Sequence, residues 1–455
     1  MVIMEKFESK NPYSGEVLQT YPRHSDPQVT QMLSRSAKTF SQWQQVPVET
    51  RAATLKRLSA VLEAGLETYA RLITEEMGKP ITESRAELDK CIWLCDFYRK
   101  NAAQFLADEL IETEARESFV SYDPLGTILG IMPWNFPFWQ VFRFAVPTLT
   151  AGNTVLLKHA SNVCGCAQAL EAIFREAGYP EGCFQSLFVG HEAVSRLIAN
   201  PAVKAVSLTG SEGAGRAIAA LAGKHLKKTV LELGGNNACV VWEDADLDAH
   251  LDTIVKARMQ NTGQSCIAAK RFIVVDAIYD EFMARFKERV QELVSGDPLQ
   301  EDTEIGVLAR EDLADTLQQQ VRESLTAGAK LVLGNQRKGT WYEPTIIESV
   351  TRDMPAGKEE LFGPVAAVMR VRDREDSLRQ LADTRFGLGT MLFTADIEAA
   401  RHAIGKIPDG SFFINEMVKS DPRLPFGGTG ASGYGRELSR EGIYEFVNKK
   451  TVYIR

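Results

Sequence analysis

Apolar residues in the N-terminal part of the chain recur with the spacing of an amphipathic helix. From about Asp26 to Leu106 they fall three or four positions apart among charged residues, as at Leu55, Leu58 and Leu62. This spacing gives each helix one apolar stripe, so it predicts a long helical region ahead of the rest of the fold.

Between Asn153 and Val240 the pattern changes to short β-rich runs that alternate with helical stretches. The runs are TVLLKH, FQSLFV, VKAVSLTG and TVLELGG, and the helices are predicted near 167–177, 193–199 and 217–225. The alternation restarts after Gly235 with ACVVW, KRFIVVD and helices near 249–260 and 279–294. It predicts βαβ crossovers and parallel sheets, with a domain boundary near Gly234 and Gly235.

Two further β-rich segments lie outside this alternation. They are SFVSYDP near Val120 and FVNKKTVYIR at the end of the sequence. We interpret both as strands that can pair with another subunit.

Composition narrows the class of protein. A chain of 455 residues with 44% hydrophobic residues can bury a large core in two or more domains. The net charge of −8 and the lack of a basic run argue against a nucleic-acid partner. Residues 1–19 lack a signal-peptide apolar stretch and no long apolar run follows, so we expect a cytoplasmic protein without a membrane span.

Seven cysteines stand at irregular spacings without CxxC units. Such usage is typical of a reducing compartment and argues against a disulfide framework and a zinc site, so we expect no metal. Cys266, in NTGQSCIAA, precedes small residues that could begin a helix, whose backbone N–H groups would stabilise a thiolate. The alternative is a buried structural cysteine.

Two other segments carry candidate chemistry. In ELGG, Glu232 ends a predicted strand beside glycines that allow a ligand to approach, so it could act as a general base. The alternative is a solvated or salt-bridged acid. In PWNFP, flanking prolines orient Asn135, whose amide could donate to an oxyanion, unless the segment is only a structural turn.

A glycine-rich segment, LTGSEGAG at 208–215, is similar to a phosphate-binding loop. The strict GxGxxG spacing is absent, so an ordinary glycine-rich turn remains the alternative.

Taken in order, these motifs resemble the aldehyde dehydrogenase superfamily across nearly the whole chain. They are PWNFP, LLKHAS, LTGS, LELGG, GQSC, EELFGPV, and PFGG followed by SGYGRE. Within the superfamily the chain looks closest to the bacterial succinate-semialdehyde dehydrogenases, because of FPFWQVFRFAVPTLTAGNTVLLKHASNV and VKSDPRLPFGG.

The resemblance implies an α/β fold made of a Rossmann-like cofactor domain, an α/β catalytic domain and a small β oligomerisation region. Residues 1–115 and 127–234 would form the cofactor-binding domain and residues 235–437 the catalytic domain. Segments 116–126 and 438–455 would serve oligomerisation, giving a homodimer or a tetramer built from two dimers.

The resemblance also implies a reaction, the NAD(P)-dependent oxidation of an aldehyde to a carboxylic acid. Cys266 would attack the aldehyde and Asn135 would hold the oxyanion with the Cys266 N–H. After hydride transfer, Glu232 would activate the water that hydrolyses the thioester. Because free cysteine has a pKa of about 8.5, we expect the pKa of Cys266 to be lowered.

For the cofactor, the resemblance implies roles for Trp134, Lys158, Ser161, Gly210, Ser211, Glu360 and Phe362. Members that prefer NAD often carry an acid where Ser161 stands. A carboxylate would repel a 2′-phosphate, whereas Ser161 can donate to it and Lys158 can pair with it, so NADP is favoured over NAD.

Succinate semialdehyde carries a carboxylate, which needs a cation or several hydrogen-bond donors. Arg143, eight residues after Asn135, is the first candidate, supported by Trp139, Ser265 and Ser420. The alternative for Arg143 is a structural salt bridge without ligand contact.

Several other functions stay open at this point. The runner-up is a broader aliphatic or aromatic aldehyde dehydrogenase. Two departures from the commoner family pattern, ELGGNN and FGGTGASG, could alter the shape of the substrate tunnel, the stiffness of a loop or the subunit contacts. A CoA-acylating enzyme is less consistent with Glu232, and a cysteine thioesterase or hydrolase with Lys158 and Glu360. An inactive structural relative would be expected to lose one of the catalytic residues.

Overall fold

The computed structural model describes residues 6–455, and its N-terminal region is helical as predicted. The elements are β1 (Lys6–Lys10), β2 (Val17–Pro22), α1 (Asp26–Trp43), α2 (Val48–Ala64), α3 (Leu66–Met77) and α4 (Ile81–Phe105). Pro47 and Pro80 directly precede α2 and α4, and Gly65 and Gly78 follow α2 and α3. Gly78 has φ 83°, a left-handed conformation that suits glycine at a helix end, so one periodic region becomes four helices.

The next segment forms a parallel sheet with helices between its strands. The elements are β3 (Glu109–Leu110), β4 (Glu117–Pro124), β5 (Thr127–Met132), α5 (Trp139–Thr150), β6 (Thr154–His159), α6 (Cys164–Glu176), β7 (Phe184–Ser186), α7 (His191–Ala199), β8 (Val203–Thr209), α8 (Glu212–Lys224) and β9 (Lys228–Glu232). Strands β9-β8-β5-β6-β7 lie in this order and all pair in parallel. Each predicted β-rich run is therefore a strand.

A second sheet follows Gly235. Its segment contains β10 (Ala238–Val241), α9 (Leu247–Met259), β11 (Arg271–Val275), α10 (Asp276–Gln291), α11 (Glu311–Thr326), β12 (Lys330–Leu333), β13 (Arg337–Lys338), β14 (Trp341–Tyr342), β15 (Thr345–Glu348), α12 (Pro355–Lys358), β16 (Val365–Val371), α13 (Arg374–Ala382), β17 (Phe386–Gly387), β18 (Thr390–Phe393), α14 (Ile397–Ile404) and β19 (Phe412–Ile414). The sheet order is β12-β15-β16-β11-β10-β18-β19, and only β12 runs antiparallel to its neighbour.

The chain ends with β20 (Thr429–Gly430), β21 (Gly433–Tyr434), α15 (Ser439–Tyr444) and β22 (Val447–Ile454). The two strands predicted outside the alternation, β4 and β22, pair with each other along their whole length within this chain. Together with β3 they form a small antiparallel sheet in which β22 is an edge strand. β4 lies between two strands and cannot pair with another subunit, whereas β22 has a free edge that could.

This arrangement confirms the predicted α/β fold class. The change from one parallel sheet to the other falls between β9 and β10, at Gly234 and Gly235. The predicted domain limits stay predictions, and two short strands cross them. β21 lies in segment 235–437 but pairs with β9, and β3 lies in segment 1–115 but pairs with β4. Over residues 6–455 no helix is long and apolar enough to cross a membrane.

Candidate active site

Two cavities meet at Cys266. One, of about 370 Å³, is lined by Trp134, Asn135, Glu232, Glu360 and others, and we call it the Trp134 cavity. The second, of about 420 Å³, is lined by Lys90, Trp139, Arg143, Ser420 and others, and we call it the Lys90 cavity. Cys266 and Gln140 line both. Cys266 is partly exposed whereas the six other cysteines are buried, so it is the thiol that a molecule in either cavity can reach.

The backbone before Cys266 is held in an unusual conformation. Asn261, Thr262 and Gly263 have φ values of 58°, 53° and 71°, a left-handed conformation that costs a β-branched residue such as Thr262 free energy. A side chain at Gly263 would lie 2.3 Å from the carbonyl oxygen of Gly363, so only glycine fits there. Backbone strain of this kind is concentrated at functional sites.

Hydrogen bonds fix this strained turn against its surroundings. The Asn261 side-chain amide donates to the carbonyl oxygens of Asn135 and Gln264, each at 2.9 Å. The Asn261 N–H donates to Glu83 at 2.7 Å, and burial raises the pKa of Glu83 to about 7. Asn261 begins the NTGQSCIAA segment but was given no role from the sequence, and Glu83 lies in no motif.

The prediction that a helix begins after Cys266 is wrong. The chain turns at residues 266–268 and enters β11, since the N–H groups of Lys270 and Arg271 both donate to the carbonyl of Asn237. The Lys270 ammonium then donates to the carbonyls of Ser265 and Cys266 at 2.8 and 2.7 Å. A lysine side chain therefore secures the turn in place of a helix end.

The expected lowering of the Cys266 pKa is also wrong. Burial raises the pKa of the thiol, and the positive charges of Arg143 and Lys270 offset only part of that effect. A thiolate at this position therefore depends on a proton acceptor or on higher pH.

Asn135 lies in the wall of the Trp134 cavity, and its amide nitrogen donates to the carbonyl of Gln264 at 3.1 Å. That bond uses one of the two amide hydrogens, so the second is available to a ligand. The loop that carries Asn135 is anchored by Glu87, which accepts from the N–H groups of Phe138 and Trp139, each at 2.8 Å. Glu87 itself is paired with the fully buried Lys79 at 2.5 Å.

A buried histidine holds the other side of the same loop. His159 Nε2 lies 3.0 Å from the carbonyl of Pro137, and Nδ1 accepts from the N–H of Ala160 at 3.0 Å. Nδ1 also lies 3.1 Å from the carbonyl oxygen of Met132, and burial lowers the pKa of His159 to about 4, so the ring is neutral near pH 7. His159 is thus a structural support of the loop.

Glu232 ends β9 and lines the Trp134 cavity. It is buried, and neither carboxylate oxygen has a hydrogen-bond partner among the described residues. Burial, with the nearby carboxyl of Glu437, raises the pKa of Glu232 well above its ordinary value. No residue within 6–455 forms a salt bridge with it, and a buried carboxylate without partners is suited to hold a water molecule and accept its proton.

The remaining wall of the Trp134 cavity brings together four more of the predicted residues, Gly210, Ser211, Glu360 and Phe362. The rings of Trp134 and Phe362 meet edge to face at 5.7 Å. Glu360 accepts from Lys270 at 3.0 Å and from the N–H of Gly235 at 3.1 Å. A side chain at Gly234 would lie 2.1 Å from the Glu360 carboxylate, which explains why glycine stands there.

Two predicted cofactor residues lie outside the lining of the Trp134 cavity. Lys158 is the penultimate residue of β6 and is buried, and burial lowers its pKa. Ser161 is exposed and, with Asn162, borders a separate surface pocket. Both amide atoms of Asn162 are buried without a partner among the described residues, so this wall retains unused hydrogen-bonding groups.

All four predicted substrate residues line the Lys90 cavity: Trp139, Arg143, Ser265 and Ser420. Arg143 is buried and forms an ion pair with Glu437, so the salt bridge weighed as its alternative exists while the side chain still borders the cavity. Lys90, Gln140 and Phe426 also line it and were missed. Gln140 directly follows Trp139 in sequence and Phe426 lies in the PFGG motif, so both had an available signal, whereas Lys90 has none.

Over residues 6–455, no group of three or more His, Cys, Asp or Glu side chains is arranged to hold a metal ion.

Comparison with known proteins gives a consistent picture. The model of the aldehyde dehydrogenase family matches residues 3–452. A Synechocystis protein named probable succinate-semialdehyde dehydrogenase, NADP(+), is 47% identical over 98% of both chains. An Escherichia coli succinate semialdehyde dehydrogenase, NAD(P)+, is 44% identical over 98% of this chain and 97% of its own.

A solved structure extends the similarity to three dimensions. The succinic semialdehyde dehydrogenase of Streptococcus pyogenes, in complex with NADP+, superposes with a TM-score of 0.96 at 37% identity. The match covers 98% of this chain and 99% of that one. The similarity in structure therefore extends over nearly the whole chain.

Proposed function

The chain belongs to the aldehyde dehydrogenase family, and we propose that it oxidises succinate semialdehyde to succinate with NADP+. One aldehyde, one NADP+ and one water give one carboxylate, one NADPH and two protons. The proposal rests on the position of Cys266 between the two cavities. The Trp134 cavity contains the Glu232 carboxylate, which has no hydrogen-bond partner among the described residues, and the Lys90 cavity is lined by lysine and arginine side chains. The names of the Synechocystis and Streptococcus relatives support the choice of substrate and cofactor.

In the first step the Cys266 sulfur forms a bond to the aldehyde carbon, and the carbonyl π electrons move to oxygen. The free Asn135 amide hydrogen and the Cys266 N–H stabilise the negative oxygen. Since burial raises the pKa of Cys266, its proton has to be taken up as the bond forms. A base from solution can take up that proton, so this step does not require Glu232.

The Trp134 cavity fits a dinucleotide cofactor. Ser211 caps α8, accepting from Ala214 N at 3.3 Å, and a side chain added at Gly210 would meet nothing within 4 Å, so there is open space at a helix N-terminus. Backbone N–H groups in that position bind phosphate oxygens. Glu360 would hold the nicotinamide ribose, with Trp134 and Phe362 beside the ring. When bound, NADP+ supplies the acceptor for the hydride that leaves the former aldehyde carbon.

The thioester that remains on Cys266 is then hydrolysed. Glu232 takes a proton from water, and the resulting hydroxide attacks the acyl carbon, displacing the Cys266 thiolate. The raised pKa of Glu232 makes its carboxylate a stronger base than a surface glutamate. Activity should therefore increase with pH, because the reactive forms of Cys266 and Glu232 are both deprotonated and burial raises both pKa values.

The preference for NADP+ is supported by charge. Lys158 is a cation near the predicted adenosine ribose, and Ser161 offers a hydroxyl where an acid would repel a 2′-phosphate. NAD remains usable in this proposal because neither residue needs the phosphate in order to contact a ribose.

We infer in addition that the chain forms a homodimer or a dimer of dimers. β22 is an edge strand with exposed Tyr453 and Ile454, and β19 is an edge strand of the larger sheet. Edges of this kind pair readily with another chain. The cytoplasmic location and the domain limits remain predictions from sequence.

Steady-state formation of NADPH tests the proposed function. Wild-type protein is assayed with succinate semialdehyde and with pentanal, a neutral aldehyde, each with NADP+ and with NAD. We expect kcat/KM to be highest for succinate semialdehyde with NADP+, and Cys266→Ser to lose turnover. Turnover of pentanal with an equal or higher kcat/KM would contradict the substrate, and no turnover of any aldehyde by folded protein would contradict the reaction.

A further inference from the structure

A fully buried lysine lies behind the turn that carries Cys266. The Lys270 ammonium donates to the carbonyl oxygens of Ser265 and Cys266, at 2.8 and 2.7 Å. Its third hydrogen goes to the Glu360 carboxylate at 3.0 Å. The side chain of Lys270 has no exposed surface. Three acceptors use all three hydrogens of an ammonium, so Lys270 is protonated and has none left for a ligand.

The bond to Ser265 fixes the direction of the Cys266 N–H. The Ser265 carbonyl and the Cys266 N–H belong to one peptide unit, which is planar and trans, so the two groups point in opposite directions. Lys270 holds the oxygen, and the hydrogen therefore points away from Lys270. No residue within 6–455 accepts that hydrogen. A donor that is fixed in direction and lacks an acceptor is available to the oxygen of a bound aldehyde.

The positive charge of Lys270 strengthens the same donor. The Ser265 carbonyl oxygen also accepts from the Ala268 N–H at 3.2 Å, so both of its lone pairs are used. Because these donors draw electron density toward the oxygen, the amide nitrogen of the unit loses density and the Cys266 N–H becomes a stronger donor. Burial of Lys270 keeps water from screening the effect.

We propose that Lys270 is a positioning residue for the oxyanion: it orients and polarises the Cys266 N–H through the Ser265 carbonyl, and Glu360 is its counter-charge. The inference rests on the proposed function, because it takes Cys266 as the nucleophile. Asn135 and the Cys266 N–H are the two donors to the oxyanion, and Lys270 acts on the second of them. It does so without touching the aldehyde, since all its hydrogens go to protein acceptors.

The charges around the turn are consistent with this role. Burial lowers the pKa of Lys270, and the Glu360 carboxylate acts against that effect, so the buried ammonium keeps its charge. Arg258 acts in the same direction as burial, and the Cys266 thiolate acts in the same direction as Glu360. Lys270 is in turn one of two cations that lower the pKa of Cys266, the other being Arg143.

Two reagents that need no cofactor separate the oxyanion from the reactivity of the thiol. Iodoacetamide loses iodide as the Cys266 sulfur bonds to its methylene carbon, and no oxyanion forms. With p-nitrophenyl acetate the sulfur bonds to the carbonyl carbon, a negative oxygen forms, and p-nitrophenolate then leaves. The six other cysteines are buried, so both reagents select Cys266, and Cys266→Ser protein is the blank. Both reactions consume the thiolate, so the ionised fraction cancels in the ratio of acylation to alkylation rates.

The test compares this ratio in wild type and in Lys270→Met. Methionine keeps the apolar stem and removes the charge with its hydrogen bonds. We expect the ratio to fall about 10²-fold, the loss typical of one oxyanion donor. In turnover kcat should fall by a similar factor, while KM for succinate semialdehyde changes by less than about threefold.

Lys227→Met is the matched control. Lys227 also donates to two backbone carbonyls, those of Asn200 and Val203, but it lines neither cavity. Its ratio should equal that of wild type. Asn135→Ala removes the other donor and should lower the ratio as Lys270→Met does, which shows that the ratio reports on the oxyanion.

A second variant is used if circular dichroism shows that Lys270→Met is not folded. Lys270→Gln retains an amide that can donate to one carbonyl but carries no charge. Because orientation is then kept in part and polarisation is lost, we expect the ratio to fall about tenfold.

The outcomes separate the inference from the proposed function. A ratio within about threefold of wild type in a folded Lys270 variant overturns the inference, whether both rates fall together or neither changes. The proposed function stands in that case, because wild-type Cys266 still reacts. If wild-type protein releases no more p-nitrophenolate than Cys266→Ser protein, Cys266 is not the nucleophile, and the proposed function fails together with the inference.

Discussion

The two cavities that meet at Cys266 are built in different ways. The Trp134 cavity is lined by turns at strand ends and by glycine-rich segments, with Gly210, Ser211 and Gly234 among its residues. The Lys90 cavity is lined by long side chains that project from helices α4, α5 and α9 and from the loop before β20. A cavity made from backbone suits a ligand that all members of the family share. A cavity made from side chains can change its ligand by a few substitutions.

The largest effect is expected in the Trp134 cavity, from the substitution Glu232→Gln. Glutamine keeps the shape but cannot accept a proton, so the thioester should form and then persist. We expect steady-state kcat to fall about 10³–10⁴-fold, while a rapid burst of NADPH of about one per active site remains. The burst is measured by stopped-flow absorbance. Loss of the burst together with kcat would mean that Glu232 is also essential for the first step.

The support beneath the Lys90 cavity is tested by Lys79→Met. Lys79 and Glu87 are both fully buried, and the change leaves the Glu87 carboxylate without its counter-charge. We expect the free energy of unfolding to fall by about 3–5 kcal/mol, measured by urea denaturation. The control is Arg196→Met, which breaks the exposed pair with Asp26 and should change stability very little. Equal losses in the free energy of unfolding in the two variants would show that the buried pair stabilises the protein no more than an exposed pair does.

The substitution Ser161→Asp should change the cofactor preference and leave the Lys90 cavity unaffected. The new carboxylate would repel the 2′-phosphate, so we expect kcat/KM for NADP+ to fall about 10–30-fold. The values for NAD and the KM for succinate semialdehyde should change little. Ser161→Ala is the control for loss of the hydroxyl. A matching loss with NAD would show that Ser161 acts on the ribose and not on the phosphate.

The smallest expected effect is a pH dependence of KM that arises in the Lys90 cavity and not in the Trp134 cavity. Because burial lowers the pKa of Lys90 to about 8, this cation of the cavity wall is lost as pH rises above that value. We expect KM for succinate semialdehyde to be constant below pH 8 and then to increase by up to about tenfold per unit. KM for pentanal should not follow this curve, and Lys90→Arg should move the increase to higher pH. Parallel curves for both aldehydes would assign the titration to another group.

Sequence alone predicts one cavity far better than the other. Cys266, Glu232, Asn135 and Glu360 each stand in a short motif, and short motifs keep their local geometry when the chain folds. All four line the Trp134 cavity. Most of that cavity was therefore predictable.

The Lys90 cavity was predictable only in part. Lys90 and Ser420 are 330 positions apart in sequence, and Lys90 has the ordinary appearance of a charged residue on a helix. The pairing of Arg143 with Glu437, nearly as distant, was considered only as an alternative. The turn after Cys266 also escaped prediction, because it depends on Lys270 and on Asn237 from another segment. Such features depend on contacts between segments that are distant in sequence, so a local sequence pattern cannot predict them.

The central claim is that succinate semialdehyde is oxidised as a thioester on Cys266. The most direct measurement mixes Glu232→Gln protein with succinate semialdehyde and NADP+, stops the reaction with acid and identifies the modified peptide by mass spectrometry. The account predicts a succinyl group on Cys266 that requires both the aldehyde and NADP+. Formation of NADPH with Cys266 unmodified, or a succinyl group on a different residue, would contradict it.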